Sequence, residues 1–344
     1  MRYLVDLPTS KVQAIKLLIE SGKYEDVQSF ILAALENQLY LEKQPIEHFA
    51  PAEMRMTQSF AEGNVTSQSL PLMFRPDPKT STIITVQEPI TEVINSNILW
   101  ALYNRVFPVK VTLRVLANLL KSNSADRGYV DLFALADSAA EIARKLNLLL
   151  TRIDKKNHRI HGEKLSAGLP GAGNRALERF KSSFVGTINS RGHIEGAPAI
   201  LRFVNIRKDE AGKPKIGITE SGLQFAAMEN PILDKSEYSQ AFYDQEIAFY
   251  LRHISEKLPK EYQLSLNILR AIKNGIATPN ELTRIVLEAD SDLSSNEAQT
   301  MRSSAVSRLS ELGMLARRRD GSNVTYSLSA KALTVLSTQM ENKK

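Results

Sequence analysis

The chain has 344 residues, 43% hydrophobic and 24% charged, with a formal net charge of +6 and no cysteine. This is the composition of a globular protein of about two or three domains, and it excludes disulfides, thiolate zinc sites and a cysteine nucleophile. No apolar run approaches the ~18 residues of a membrane span and no signal-peptide core opens the sequence, so a cytoplasmic protein with no membrane contact is expected.

Residues 1–43 read as one strand and two helices. Tyr3, Val5 and Leu7 alternate with Arg2, Leu4 and Asp6, the period of a half-buried strand, and Pro8 stops it. Ser10 can cap a helix with Val12, Ile15, Leu18 and Ile19 on one face, ended by Ser21-Gly22. Asp26 can cap a second, with Val27, Phe30, Ile31, Ala34, Leu35 and Leu39 as its apolar stripe. One strand and two helices bury too little to stand alone, so a second copy is expected. The segment resembles the ribbon-helix-helix family through Leu7-Pro8, Gly22 and the Ser29-Phe30-Ile31…Ala34-Leu35 run. That resemblance implies a homodimer with Tyr3, Val5, Leu7, Phe30 and Ile31 in its interface, and a ribbon that in most such proteins enters the DNA major groove. Arg2 is the natural DNA donor on the outer face. Leu4 and Asp6 are poor readers, and the segment carries five basic against six acidic residues. The ribbon is therefore expected mainly to dimerise.

Residues 44–89 are rich in Pro, Ser and Thr and read as a linker or arm, with Ile83–Val86 as the one strand-like run. A middle domain is expected over 90–234. It opens with apolar helices, Asn97–Phe107 and then Val109–Lys121, followed by a short and a long helix over Val130–Asp154. A helix over Ala176–Phe184, β-like runs Ala199–Arg207 and Lys215–Thr219, and a helix after Glu220-Ser221-Gly222 complete it. The order resembles a winged helix carrying a large insertion. Between Arg144 and Arg191 eleven Lys/Arg face three acids, a net +8, which leaves −2 for the rest of the chain. Such a block favours phosphate contact, with Lys155, Lys156, Arg159, Lys164 and Arg191 as candidates.

Residues 235–260 read as a connecting helix with Tyr238, Phe242, Phe249 and Tyr250 as an aromatic stripe, better suited to a core or interface than to base stacking. In 261–344, a helix ends on Asn274-Gly275, Thr278-Pro279 starts another, and Ser294 or Ser295 opens a third that Gly313 ends. Leu315–Arg319 and Val324–Leu328 form a hairpin around Asp320-Gly321. Three helices and a hairpin, with the RLSELGML…YSLS run, resemble a winged helix-turn-helix. By position, the resemblance implies that Gln299, Arg302, Ser303 and Ser307 face the major groove and Arg317, Arg318 and Arg319 reach phosphate or the minor groove.

Enzymatic readings fare poorly. Gly168–Arg175 mimics P-loop glycine spacing, but Asn174-Arg175 stands where Lys and Ser/Thr are needed. His158 and His161 lack companion ligands, and none of the five histidines starts a His-x-x-Arg recombinase motif. The expectation is a mainly α, non-enzymatic, dimeric regulator of transcription that binds double-stranded DNA without a cofactor. A replication or partition factor of a mobile element, or a DNA-recruiting adaptor that meets a protein partner in a defence or transposition assembly, are the alternatives.

Overall fold

A computed structural model describes residues 12–13, 15–16, 19, 26–27, 31, 75–77, 82–90, 93–94, 98–122, 127–160, 162–290, 292–320 and 323–341. The chain divides into two compact units, Met1–Gln68 and Ser69–Lys344. In the first, residues 12–13, 15–16, 19, 27 and 31 are helical, within the two stretches expected to be helices. Ile15 is buried there, while Val12, Val27 and Ile31 keep 38%, 47% and 39% of their surface exposed. Of the expected interface, only Ile31 falls among these residues; Tyr3, Val5, Leu7 and Phe30 lie outside the described residues, as do Arg2 and the arm from 44 to 74.

The second unit is mainly helical with short antiparallel sheets. Its first helix, α1 (Phe107–Ser122), takes Pro108 into its opening turn, where a missing N–H costs nothing. Of the expected helix over Asn97–Phe107, residues 98–106 are instead irregular chain with a 3₁₀ turn at Ala101–Tyr103, and Phe107 already begins α1. Strand β1 (Tyr129–Asp131) leads into α2 (Leu132–Lys156), started by the Asp131 carboxylate, which accepts the N–H groups of Phe133 and Ala134. Leu132, Leu135, Ala139, Ala143, Leu146 and Leu150 recur at helical spacing and form its buried face.

The insertion that follows holds α3 (Asn174–Phe180), a π turn to Val185, the hairpin β2 (Thr187–Ile188) and β3 (Ile194–Glu195), and a buried turn of helix, α4 (Ala197–Ile200). The β-like run from Ala199 is thus a strand only at β4 (Val204–Lys208), which pairs with β5 (Pro214–Ile218). Strand β5 is central in the order β1-β5-β4, with Val130 and Ile206 both opposite Ile216. Residues 82–90 run along this sheet, where the Val86 N–H donates to Ile218 O at 2.8 Å. A Cβ at Gly217 would stand 2.7 Å from the Val86 side chain, so the sheet accepts the segment only because residue 217 is glycine. Helices α5 (Glu220–Ala227), α6 (Pro231–Lys235) and α7 (Asp244–Lys257) close this half. The aromatic stripe is core: Phe249 stacks on Phe225 at 5.7 Å, and Phe242 and Tyr250 are buried.

The last block comprises α8 (Pro259–Lys273), α9 (Pro279–Ala289), α10 (Ser295–Glu311), strands β6 (Leu315–Asp320) and β7 (Asn323–Leu328), and α11 (Ala330–Glu341). Reciprocal capping boxes open α9 (Thr278 with Glu281) and α10 (Ser294 with Glu297). Tyr326 N donates to Ala277 O, tying β7 to the entrance of α9.

The two halves share one apolar core, and buried ionic groups hold each half and the seam between them. Lys110 on α1 pairs with Glu246 on α7 at 2.8 Å, both side chains fully buried. Arg114 pairs with Asp234 at 2.7 Å. Arg308 on α10 donates Nε to Glu261 on α8 at 3.0 Å and also bonds the carbonyl of Tyr103. Glu311, at the end of α10, accepts the N–H groups of Val106 and Phe107 at the start of α1. Among the described residues, no helix is long and apolar enough to cross a membrane.

Candidate nucleic-acid interface

Helix α10 presents a polar, uncharged face: Gln299 and Ser303 are exposed and Ser307 is half-buried. Arg302 is not on it. That side chain is 8% exposed, and its Nε lies 3.4 Å from Thr283 Oγ1 on α9. The expectation that Arg302 projects toward a groove is therefore corrected. The covered side of α10 is wider than its apolar residues suggest, because residues 99–105 lie along it. Ser304 donates to Trp100 O, Arg308 to Tyr103 O, and Arg105 to Ser307 O. These bonds come from about 200 positions away in sequence, and no local pattern announces them.

Beyond α10, Arg317, Arg318 and Arg319 lie on β6, opposite Tyr326, Thr325 and Val324 of β7. Arg318 and Arg319 are exposed and Arg317 is half-buried. Beside them stands the loop that leaves α2. Its anchor is Asp154, 2% exposed, whose carboxylate accepts Arg159 Nη1 at 3.0 Å and the N–H groups of Leu165 and Ser166 at 3.1 and 3.0 Å. Asn147 holds the far end, donating to Ser166 O and Leu169 O at 3.2 Å. His158 (φ 51°) and Gly162 (φ 106°) supply the left-handed turns that fold the loop back.

The fold brings this loop to the hairpin. A Cβ built at Gly162 would lie 3.7 Å from Arg317 Cδ, although the two residues are far apart in the chain. Lys155 and Lys156 at the end of α2 and Lys164 in the loop are exposed, as are Arg318 and Arg319 on the hairpin that the loop approaches. Arg159 plays a different part from the one expected. It is spent internally on Asp154 and on the Tyr238 carbonyl, and shapes the loop rather than projecting from it. Arg191 is exposed on the turn of the separate β2–β3 hairpin.

The glycine-rich run after this loop is no phosphate cradle in shape. Gly168 packs against Arg105 and Pro108, and turns rather than a strand precede α3. Among the described residues, no group of three or more His, Asp or Glu is arranged to hold a metal ion.

No protein-family model matches this chain. No curated protein and no solved structure matches it either. What the surface can do follows from its own residues.

Proposed function

We propose that this chain is a dimeric DNA-binding protein that serves as a transcriptional regulator. Residues 261–344 would act as a winged helix with α10 in the major groove, and residues 1–43 as a ribbon-helix-helix segment that pairs two copies. The observation that carries the reading is the approach of the loop at Gly162 to Arg317 on the hairpin. It brings together two basic elements from distant parts of the chain, in a unit whose helix α10 exposes amides and hydroxyls and one carboxylate, Glu297. Such a surface suits a duplex: lysines and arginines hold the backbone, while Gln299 and Ser303 offer donors and acceptors to base edges. Arg302 is left out of this assignment because its side chain is buried.

The test is duplex binding followed by fluorescence anisotropy across a salt series. Replacing Lys155, Lys156 and Arg318 together by Ala should weaken all duplexes alike and lower the salt slope by about 0.9 for each phosphate no longer neutralised. Gln299→Ala should instead weaken the preferred site by about 1–3 kcal/mol and leave random duplex nearly unchanged. A triple variant with an unaltered salt slope would overturn the reading.

A further inference from the structure

A half-open cleft of about 330 Å³ lies where the basic loop meets the end of α10. Three separate parts of the chain wall it: loop residues Arg159 and Gly162–Leu165, the segment Ser239–Phe242, and Ser310–Gly313 at the end of α10. Arg105 and Lys331 complete the rim. Its size is at the small end of ligand pockets, and a junction between halves of a unit is a common place for one.

The charges sort by what already satisfies them. Glu311 is spent on the N–H groups of Val106 and Phe107, and the Glu163 carboxylate accepts the N–H of Ile160. Arg159 pairs with Asp154, Lys331 pairs with Asp244, and Arg105 donates to Ser307 O. The Lys164 ammonium has no ion-pair partner among the described residues. Four cations against two carboxylates leave the lining net positive, with hydroxyl and amide donors at Ser239, Gln240 and Ser310 and an apolar floor at Leu165, Ala241 and Leu312. That combination fits a small anion with a compact, multiply charged head.

We propose that this cleft binds a small free phosphoanion, with Lys164 as its principal ion-pair donor and Lys331 and Arg105 opposite. Such a ligand would touch the loop that follows Lys155 and Lys156 at the end of α2 and, at once, the last turn of α10. The site is measured without DNA, so it stands or falls apart from the duplex-binding reading.

The experiment is isothermal titration of the full chain with inorganic pyrophosphate at low ionic strength. The expected result is saturable binding at one site per chain, weakened at least tenfold by Lys164→Glu and abolished by Ser239→Trp, which fills the cleft. Lys155→Glu makes the same charge change outside the cleft and should leave affinity within about threefold. Circular dichroism of each variant guards against loss of the fold. Non-saturable heats, or equal losses in Lys164→Glu and Lys155→Glu, would show diffuse attraction and overturn the proposal. A repeat in the presence of excess duplex separates the two sources of phosphate: retained binding supports a free ligand, and displacement would assign the cleft to the path of a nucleic-acid backbone instead.

Discussion

The two halves of the second unit reach similar outlines, several helices and a hairpin, by opposite routes. The C-terminal block is assembled from neighbours. Thr278 caps α9 through Glu281, Ser294 caps α10 through Glu297, Gly313 (φ 67°) ends α10, and the hairpin closes within fourteen residues, from Leu315 to Leu328. The middle half is assembled from distant partners. Its sheet admits residues 82–90 beside Gly217, its loop is clamped by Asp154, and its first helix is anchored by Glu246, Asp234 and Glu311. Local construction spreads stability over many small terms. Distant construction concentrates it in a few bonds, and breaking any one of them is felt throughout.

The largest effect should come at the seam. Glu261→Ala leaves the Arg308 guanidinium buried without its carboxylate and also removes the acceptor of Leu99 N–H. A destabilisation of about 3–5 kcal/mol is expected on urea denaturation. A cost below about 1 kcal/mol would mean the seam is not held this way. Next is Gly222→Ala on α5, where the new Cβ would sit 2.0 Å from the Phe203 carbonyl oxygen. Alanine gains at most about 1 kcal/mol in helix propensity, whereas forcing the backbone apart costs about 1–3 kcal/mol or more, so net destabilisation is expected. A variant as stable as the parent would refute the close packing of α5 on β4.

Smaller changes probe the local half. Thr278→Ala and Ser294→Ala each remove a capping oxygen and should cost about 1 kcal/mol. Thr278 should cost the more of the two, being half-buried where Ser294 is exposed. The subtlest test is a pH series. Burial pushes the Glu311 carboxyl up to about 7, against the opposing pull of Arg105 and of the Val106 and Phe107 N–H groups. The folded state then binds protons more tightly than the unfolded chain between the ordinary glutamate value and about 7. The contribution is full below that window and is lost as pH rises through about 7. Thermal stability should therefore fall between about pH 5 and about pH 8, and Glu311→Gln should flatten that fall. An unchanged slope in the variant would move the proton uptake elsewhere.

The same contrast decides what is legible in the sequence. Thr278-Pro279, Ser294, Gly313 and Asp320-Gly321 mark the ends of elements by local backbone chemistry, and those ends stand in the structure within a residue or two. The helix–helix–long-helix order of the middle half is harder to read. Asn97–Phe107 has helical apolar content, yet its residues 99–105 lie along α10, where the Trp100 and Tyr103 carbonyls receive Ser304 and Arg308. Arg302 is hidden on another side, against Thr283 of α9. Its place three residues after the exposed Gln299 and next to the exposed Ser303 does not reveal that its side chain turns to α9. The positive block is visible as composition. Which arginine is consumed depends on Asp154, one of three acids amid eleven bases, whose role its charge alone does not reveal.

The bond from Val106 N–H to Glu311 bears on how the protein is made. The donor and the carboxylate are 205 positions apart. At ordinary rates of synthesis, about 5–20 residues per second, α1 emerges from the ribosome about 10–40 s before the residue that satisfies its first N–H groups exists. Lys110 waits in the same way for Glu246. During that interval the carboxylate partners of the opening turn of α1 and of its ammonium are not yet made. The opening turn of α1 is therefore completed only once α10 has been made.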